Sequence, residues 1–511
     1  MEHCETLRDM SRPMEDAELC PQHIVDFLEY KLSKLASRPV SDARRESAIL
    51  GFQQAKSAQQ CVLIVTLSKD FFKAESGELL SESCEDDRDG SCCCSTCWKC
   101  SLDRGGYKLV VRLWKGTSRW WTLNSNAGDT VTSRTKELEQ VARSEVTGYR
   151  IARLALYSTT PCKDEGAKGM MSKAMVRIPK VLFTSFCPSR SDGSMINDAL
   201  DSPWAVFEYV GEESTLFSNR NFRYDDAWTT GMVKIRHEFG YDEPHPRWGR
   251  VPVDKCLQYA LTVLRQVIIP IHQFCVKAKS TNDSLRDLRH CLTACQTVSL
   301  RQEGRPFTYD SMVQRYKDAY QRMNSVCSTE KYCHERLLAA IKVLGHAIDG
   351  LTRYYSDGIP HLPPVLCHMD CQPQNILFAS DTDRADRGIQ GHSFPSFVAS
   401  VLDWEEAAYA DPRFDVLLLC RKVCASREQA DIIWDTYAQA MCTVFIESDK
   451  GAVIGPLDPW LRLETIHSLT TLLLQSLDLL GGGRKPWEGK SDLWGKIERE
   501  LGRLGESVPD Y

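Results

Sequence analysis

The sequence predicts an α+β chain of two lobes, a small sheet-containing N-terminal lobe followed by a larger, mainly helical C-terminal lobe. Two observations carry this reading. Short Val- and Leu-rich runs with strand character dominate the first 210 residues, whereas helical periodicity prevails after Gly211. The chain is also 511 residues long, too long for one compact hydrophobic core.

The elements follow in order. Ile24, Phe27, Leu28, Leu32 and Leu35 recur at helical spacing over residues 16–37, and Pro39 ends that run. Cys61–Leu67 reads as a strand, as does Tyr107–Trp114 after Gly105-Gly106. The acidic, cysteine-rich segment between them, about 73–104, reads as an insertion in a hairpin. A long helix is expected over about 133–156, with Thr132 or Ser133 as its cap. Strands are expected around Val181–Phe183 and Trp204–Val210. In the second lobe, helices are predicted over 254–269, 334–354, 413–446, 459–480 and 491–503. Short strands fall at Val365–Cys367, Ile376–Phe378 and Val398–Leu402. The resulting division is a helical segment over 1–40, an N-lobe over 41–211 and a C-lobe over 212–505.

Composition excludes several function classes. Hydrophobic residues make up 42% and charged residues 26%, the balance of a folded chain rather than a disordered one. The net charge of −6, with both signs mixed, provides no footprint for nucleic acid or an anionic membrane. The longest apolar runs fall far short of a bilayer span, and MEHCETLRDM has no apolar h-region. A cytoplasmic protein is therefore expected, and its 22 cysteines are read as reduced thiols. Cys94, Cys97 and Cys100 do have C-x-x-C-x-x-C spacing, which suits zinc or an iron–sulfur cluster. A four-ligand site normally joins two separated pairs, however, so a reduced loop is the preferred reading.

The stretch that carries chemistry is His368-Met369-Asp370-Cys371-Gln372-Pro373-Gln374-Asn375, followed downstream by Val401-Leu402-Asp403-Trp404-Glu405. A strand ends in a loop presenting an aspartate, an asparagine follows, and a second aspartate ends another strand. Phosphoryl transfer needs these parts: a carboxylate for the proton of the attacking hydroxyl, and oxygen ligands for magnesium. The spacing is that of the H-x-D-x-x-x-x-N catalytic loop of kinases, with a metal-binding aspartate on the next hairpin.

On these residues the chain resembles the aminoglycoside phosphotransferase and choline kinase-like group of small-molecule kinases, which have a protein kinase-like fold. Asp411-Pro412-Arg413-Phe414-Asp415 is similar to that group's Gly-Asp-Pro-x-x-Asp-Leu segment. The likeness covers about 200–420 well and the N-lobe loosely. Met369 stands where the group has glycine, with a possible effect on the approach of the acceptor, and a polar insert over 379–396 separates Asn375 from Asp403.

The resemblance implies ATP and Mg2+ as cofactors and the hydroxyl of a small molecule as acceptor. It makes Asp370 the catalytic residue, as general base or acceptor-orienting carboxylate, and Asn375 and Asp403 the metal ligands, with His368 bracing the loop. Asp415 would hold that loop from the start of a helix. Arg112 falls at the strand cation that grips phosphates, with Lys108 and Lys115 as competitors, and Glu145 at its helical partner. Glu208-Tyr209-Val210 resembles the hinge, so Glu208 and Val210 are expected beside adenine. A glycine-rich loop is missing, since Gly51–Gln60 reads GFQQAKSAQQ. Glu405, Glu406 and Asp411 suit either a cationic acceptor or a solvated face. The rival function is a catalytically idle pseudokinase used as a binding module. The lack of Asp-Phe-Gly and Ala-Pro-Glu segments counts against a protein kinase.

Overall fold

The structure is a computed structural model. It describes residues 25–26, 28, 49–55, 60–67, 107–114, 131–158, 176, 178–185, 202–209, 253–278, 285–286, 288–290, 307–329, 335–355, 359–371, 375–379, 397–424, 426–447, 454–481 and 493–505. The cysteine-rich segment, Lys115 and Val210 lie outside these residues, as does most of 16–37 and of the 379–396 insert.

The architecture is the two-lobed α+β one. Strands β1 (Ile49–Ala55), β2 (Gln60–Leu67), β3 (Tyr107–Trp114), β4 (Val181–Thr184) and β5 (Trp204–Glu208) form one antiparallel sheet in the order β1-β2-β3-β5-β4. The register pairs Leu67 with Tyr107, so β2 and β3 are antiparallel neighbours. The run at 51–60 provides most of β1 and the first residue of β2, a strand the sequence reading did not contain.

Period-2 alternation gives β3 two faces. Leu109, Val111 and Leu113 are buried on one, while Lys108, Val110 and Arg112 share the other. That second face meets helix α1 (Val131–Ser158), whose Val141, Glu145, Gly148, Tyr149 and Ala152 recur at helical spacing.

Helices α2 (Val253–Val263) and α3 (Ile269–Lys277) form one continuous rod through the core, joined by a π-helical turn, Leu264–Ile268. The expected stop before Pro270 is thus wrong, and the π turn is the reason. Proline has no N–H and its ring collides with the carbonyl four residues back. Here the N–H of Ile269 bonds the carbonyl of Leu264, five residues back, and the widened turn absorbs the proline.

The other C-lobe helices are α4 (Tyr309–Thr329), α5 (Glu335–Tyr355), α6 (Arg413–Lys422), α7 (Arg427–Glu447), α8 (Asp458–Gly481) and α9 (Leu493–Arg503). The single helix expected over 413–446 is two, and α4 was missed. Two small strand pairings position the functional loops. Strand β6 (Val365–Cys367) pairs with β9 (Ala408–Ala410), and β7 (Ile376–Ala379) with β8 (Phe397–Val401). The catalytic loop therefore leaves β6 and enters β7, while Asp403 follows β8 and starts the turn back to β9.

Candidate active site

Strand β3 presents Arg112 on the face that meets α1, and its guanidinium is shared among three carboxylates. Nη1 bonds Glu145, while Nη2 donates to Asp403 Oδ1 at 2.8 Å and to Glu405 Oε2 at 3.0 Å. Trp114 Nε1, two residues along the same strand face, donates to the other Glu145 oxygen at 2.9 Å. Lys108 shares that face but lies over the ring of Tyr209, 5.4 Å from its centroid. Of these two strand cations, Arg112 is therefore the one bound to Glu145.

The charges in this cluster are unbalanced. Burial works against the Arg112 charge, but Glu145, Asp403 and Glu405 outweigh it and hold the guanidinium above its already high range. For Glu145, burial lifts the carboxyl from an ordinary 4.5 to about 8. Arg112 and the Trp114 N–H pull it back, whereas Asp403 and Glu405 push it further up. One cation among three carboxylates leaves net negative charge where Asp403 and Glu405 remain partly exposed. All their ligand atoms are oxygens, the donor set that suits a hard divalent cation such as Mg2+.

Helix α1 fixes the Asp403 turn as well as Glu145. Tyr149 Oη accepts the Asp403 N–H at 3.0 Å, and Ser144 Oγ donates to the Ala407 carbonyl at 2.9 Å. Gly148 lets the backbones approach: a Cβ there would sit 2.8 Å from Ala407 Cβ and 3.2 Å from Trp404 Cβ. Asp403 has φ +60°, in the left-handed region, which aspartate tolerates better than most residues. Ser144, Gly148 and Tyr149 were missed by the sequence reading. For Gly148 and Tyr149 the signal was their spacing of three and four residues from Glu145 along one helix face, and Ser144 stands four residues before Gly148.

The catalytic loop is built by similar means. Asn375 Nδ2 donates to Asp370 Oδ2 at 2.8 Å and to the Asp370 carbonyl at 3.0 Å, closing the loop on itself. The Asn375 carbonyl in turn accepts the Leu402 N–H at 2.8 Å. His368 Nε2 donates to the Leu402 carbonyl at 2.8 Å, and its ring packs on Trp404 with centroids 4.5 Å apart. Asp370 and Asn375 are thus tied, through Leu402, to the residue preceding Asp403. His368 is buried, and its Nδ1 has no hydrogen-bond partner among the described residues. It has the geometry of a brace.

Asp415, on the first turn of α6, accepts the N–H of His368 at 2.9 Å and of Met369 at 2.7 Å. Met369 has φ +63°, a conformation that explains a glycine preference at this position. Its side chain is 1% exposed, so it fills the core instead of meeting an acceptor.

Two further expectations come out differently. Asp411 is buried and bonded to Arg413 at 2.6 Å, and so lies on neither an acceptor site nor a solvated face. Glu405 faces Arg112. At the end of β5, where a hinge was expected, the Glu208 N–H bonds the Lys180 carbonyl at 2.8 Å and Glu208 Oε2 accepts the Lys180 N–H at 3.3 Å. Glu208 stands at the far end of β5 from Ala205, the partner of Arg112, so it does not join the charged cluster.

Comparison with known proteins places a family match over one part of this site. No curated protein matches the chain. Among solved structures, the streptomycin–ATP–APH(2'')-IIa ternary complex is 11% identical, with 96% of this chain and 98% of that chain covered and a TM-score of 0.39. The choline kinase LicA from Streptococcus pneumoniae is 12% identical over 94% and 99%, with a TM-score of 0.37. The choline kinase from Cryptosporidium parvum Iowa II is 9% identical over 94% and 95%, also at 0.37. Residues 278–444, the stretch that holds Asp370, Asn375 and Asp403, match the model of the phosphotransferase enzyme family.

Proposed function

We propose that the protein is an ATP-dependent phosphotransferase that passes the terminal phosphoryl group to a hydroxyl of a small molecule. The observation that carries this is the linkage of Asp370, Asn375 and Asp403. Asn375 bonds the Asp370 carboxylate through its amide, and it anchors Asp403 through the Leu402 N–H. Such coupling fixes a proton acceptor relative to two metal ligands, as in-line phosphoryl transfer requires.

The chemistry of the donors fits Mg2+. Asn375 and Asp403 would hold it, with Glu405 adjacent. Magnesium bound there neutralises phosphate charge. Arg112 supplies a fixed cation for the phosphate chain, and Glu145 keeps that cation aimed across the cleft. Asp370 orients the acceptor hydroxyl and takes its proton as the new O–P bond forms. His368, Asp415 and Trp404 hold the loop so that none of this geometry is assembled during the reaction. The carboxylate excess around Arg112 supports a role for metal, and does not of itself select a cationic acceptor.

The test is ATP consumption against amino-alcohols, sugars and aminoglycosides, with magnesium present and Asp370→Asn as the blank. Transfer to one class of acceptor, lost in Asp370→Asn while nucleotide affinity is kept, is the expected result. Tight ATP binding with no transfer across the screen would overturn the enzyme reading in favour of an idle binding module.

A further inference from the structure

Behind the catalytic loop lies a buried group of side chains that the proposed chemistry does not use: His272 on α3, Cys367 on β6, Asp415 on α6 and Tyr437 on α7. The Asp415 carboxylate is 3% exposed and cannot be hydrated. A buried carboxylate is tolerated only when donors surround it. Two donors are the His368 and Met369 N–H groups. The third direction is taken by His272, whose Nε2 is 3.4 Å from Asp415 Oδ2. The other ring nitrogen, Nδ1, is 2.9 Å from Tyr437 Oη, and the two rings meet edge to face. The Cys367 thiol donates to the Asp411 carbonyl at 3.4 Å, and its Sγ lies 4.0 Å from His272 Nε2, so Asp415 Oδ2, at 3.4 Å, is the nearest oxygen to that nitrogen. With the proton on Nε2, Nδ1 accepts from the Tyr437 hydroxyl.

The chain Tyr437–His272–Asp415 therefore ends on the two amides next to Asp370. The π turn completes the case. It carries the rod past Pro270, so His272 lies under the loop, and its own Gln266 Oε1 accepts the Val398 N–H of β8 at 2.8 Å. One helix thus grips both the loop that presents Asp370 and the strand that leads to Asp403.

We propose that His272 is a positioning residue for the catalytic loop, acting through Asp415 and held in orientation by Tyr437. As a statement about catalysis this rests on the phosphotransferase reading, but its primary readout does not. The His368 and Met369 amides are themselves the probes, and their hydrogen exchange is measured in the full chain. In His272→Leu, Asp415 loses its imidazole donor, and exchange of these amides is expected to speed up about tenfold. His272→Gln restores a side-chain N–H near the Nε2 position and should return exchange to within about threefold of wild type. Tyr437→Phe, which removes one hydroxyl from a helix away from the loop, should move exchange in the same direction as leucine but less. It also decides the matter where the leucine variant fails to fold.

With the acceptor found by the screen, His272→Leu should lower kcat and leave the KM for ATP unchanged, and His272→Gln should recover kcat. Loop exchange unchanged in both His272→Leu and Tyr437→Phe overturns the proposal. So does stoichiometric zinc in the purified protein that His272→Gln releases, since the cluster would then be a metal centre. Altered exchange in a protein that transfers no phosphate to any acceptor defeats the phosphotransferase reading and leaves the positioning role standing.

Discussion

Two polar clusters lie on either side of the catalytic loop, and they are built on opposite principles. Around Arg112, three carboxylates compete for one guanidinium, and Asp403 and Glu405 remain partly open to solvent. Around Asp415, donors surround one carboxylate and everything is buried. The first cluster has unmet negative charge and can accept a cation. The second is satisfied and can only hold something still. Buried polar networks that are complete impart rigidity, whereas incomplete ones store binding capacity.

Removing the lone cation should break this contrast most severely. Arg112→Ala leaves Asp403 and Glu405 facing each other with no counter-charge, beside a fully buried Glu145 carboxyl stripped of its Arg112 donor. Loss of one partner from a buried pair costs about 3–5 kcal/mol, which urea unfolding would register. Millimolar magnesium should recover part of that loss in the variant, since a divalent cation can replace the missing charge between Asp403 and Glu405. Equal destabilisation with and without magnesium would count against a cation site there.

The next effect is pH dependence. The Glu145 pKa is raised to about 8 in the folded protein, chiefly by burial, against an ordinary 4.5. The native state therefore binds this proton where the unfolded chain has already released it. The contribution to stability is full below about 4.5 and is lost as pH climbs towards about 8. Glu145→Gln should flatten that part of the profile, with its largest relative gain at the alkaline end. A variant whose unfolding midpoint tracks wild type from pH 5 to pH 8 would show that Arg112 keeps Glu145 ionised throughout.

Met369 sharpens the contrast from the other side. It lies between the two clusters with φ +63° and a 1% exposed side chain, so two opposing terms meet at one residue. Left-handed backbone costs a non-glycine residue about 1–2 kcal/mol. Deleting a buried methionine side chain costs about 2–5 kcal/mol. Met369→Gly should therefore be destabilised by about 1–3 kcal/mol. Met369→Ala should be less stable than Met369→Gly, the reverse of the usual order, because alanine loses the packing and keeps the strain. Thermal melts of the two variants side by side give the sign.

The sequence was most informative where chemistry dictates spacing along the chain. Asp370, Asn375 and Asp403 were legible because each flanks a short apolar run at the spacing the motif demands, whereas Arg112 and Glu145 came from the resemblance, with Lys108 and Lys115 as competitors until the bond between Arg112 and Glu145 was seen. What stayed hidden depends on distance in space rather than in sequence. Glu405 read as either an acceptor residue or a solvated charge because nothing local reveals that Arg112, from another lobe, reaches it. Asp411 read as open because its partner Arg413 looks like a surface charge until Trp460 and the Ile454 and Pro360 carbonyls enclose it. His272 was concealed by Pro270, which reads as a helix end. Only the five-residue hydrogen bond of the π turn lets the helix continue.

The smallest expected effect on stability belongs to Gly148, and it separates packing from placement. An alanine there brings Cβ to 2.8 Å from Ala407 Cβ, closer than real Cβ contacts, with Trp404 Cβ at 3.2 Å. Overpacking of this kind costs about 1–3 kcal/mol. Replacing a mid-helix glycine by alanine returns about 1 kcal/mol of helix propensity. The net change in unfolding free energy should thus stay near or below about 2 kcal/mol. The strain is relieved by pushing α1 away from the 403–407 turn, and α1 carries Glu145 and Tyr149. That movement lengthens the Asp403 N–H bond to Tyr149 and loosens the link from Arg112 to Asp403. Magnesium-dependent nucleotide binding should therefore weaken by more than the stability loss suggests, while the amides held by Asp415 exchange as in wild type. Nucleotide titration beside hydrogen exchange makes the comparison. Faster exchange at His368 and Met369 in Gly148→Ala would mean that the two clusters yield together, and that the division between a satisfied anchor and an unsatisfied binding site is drawn in the wrong place.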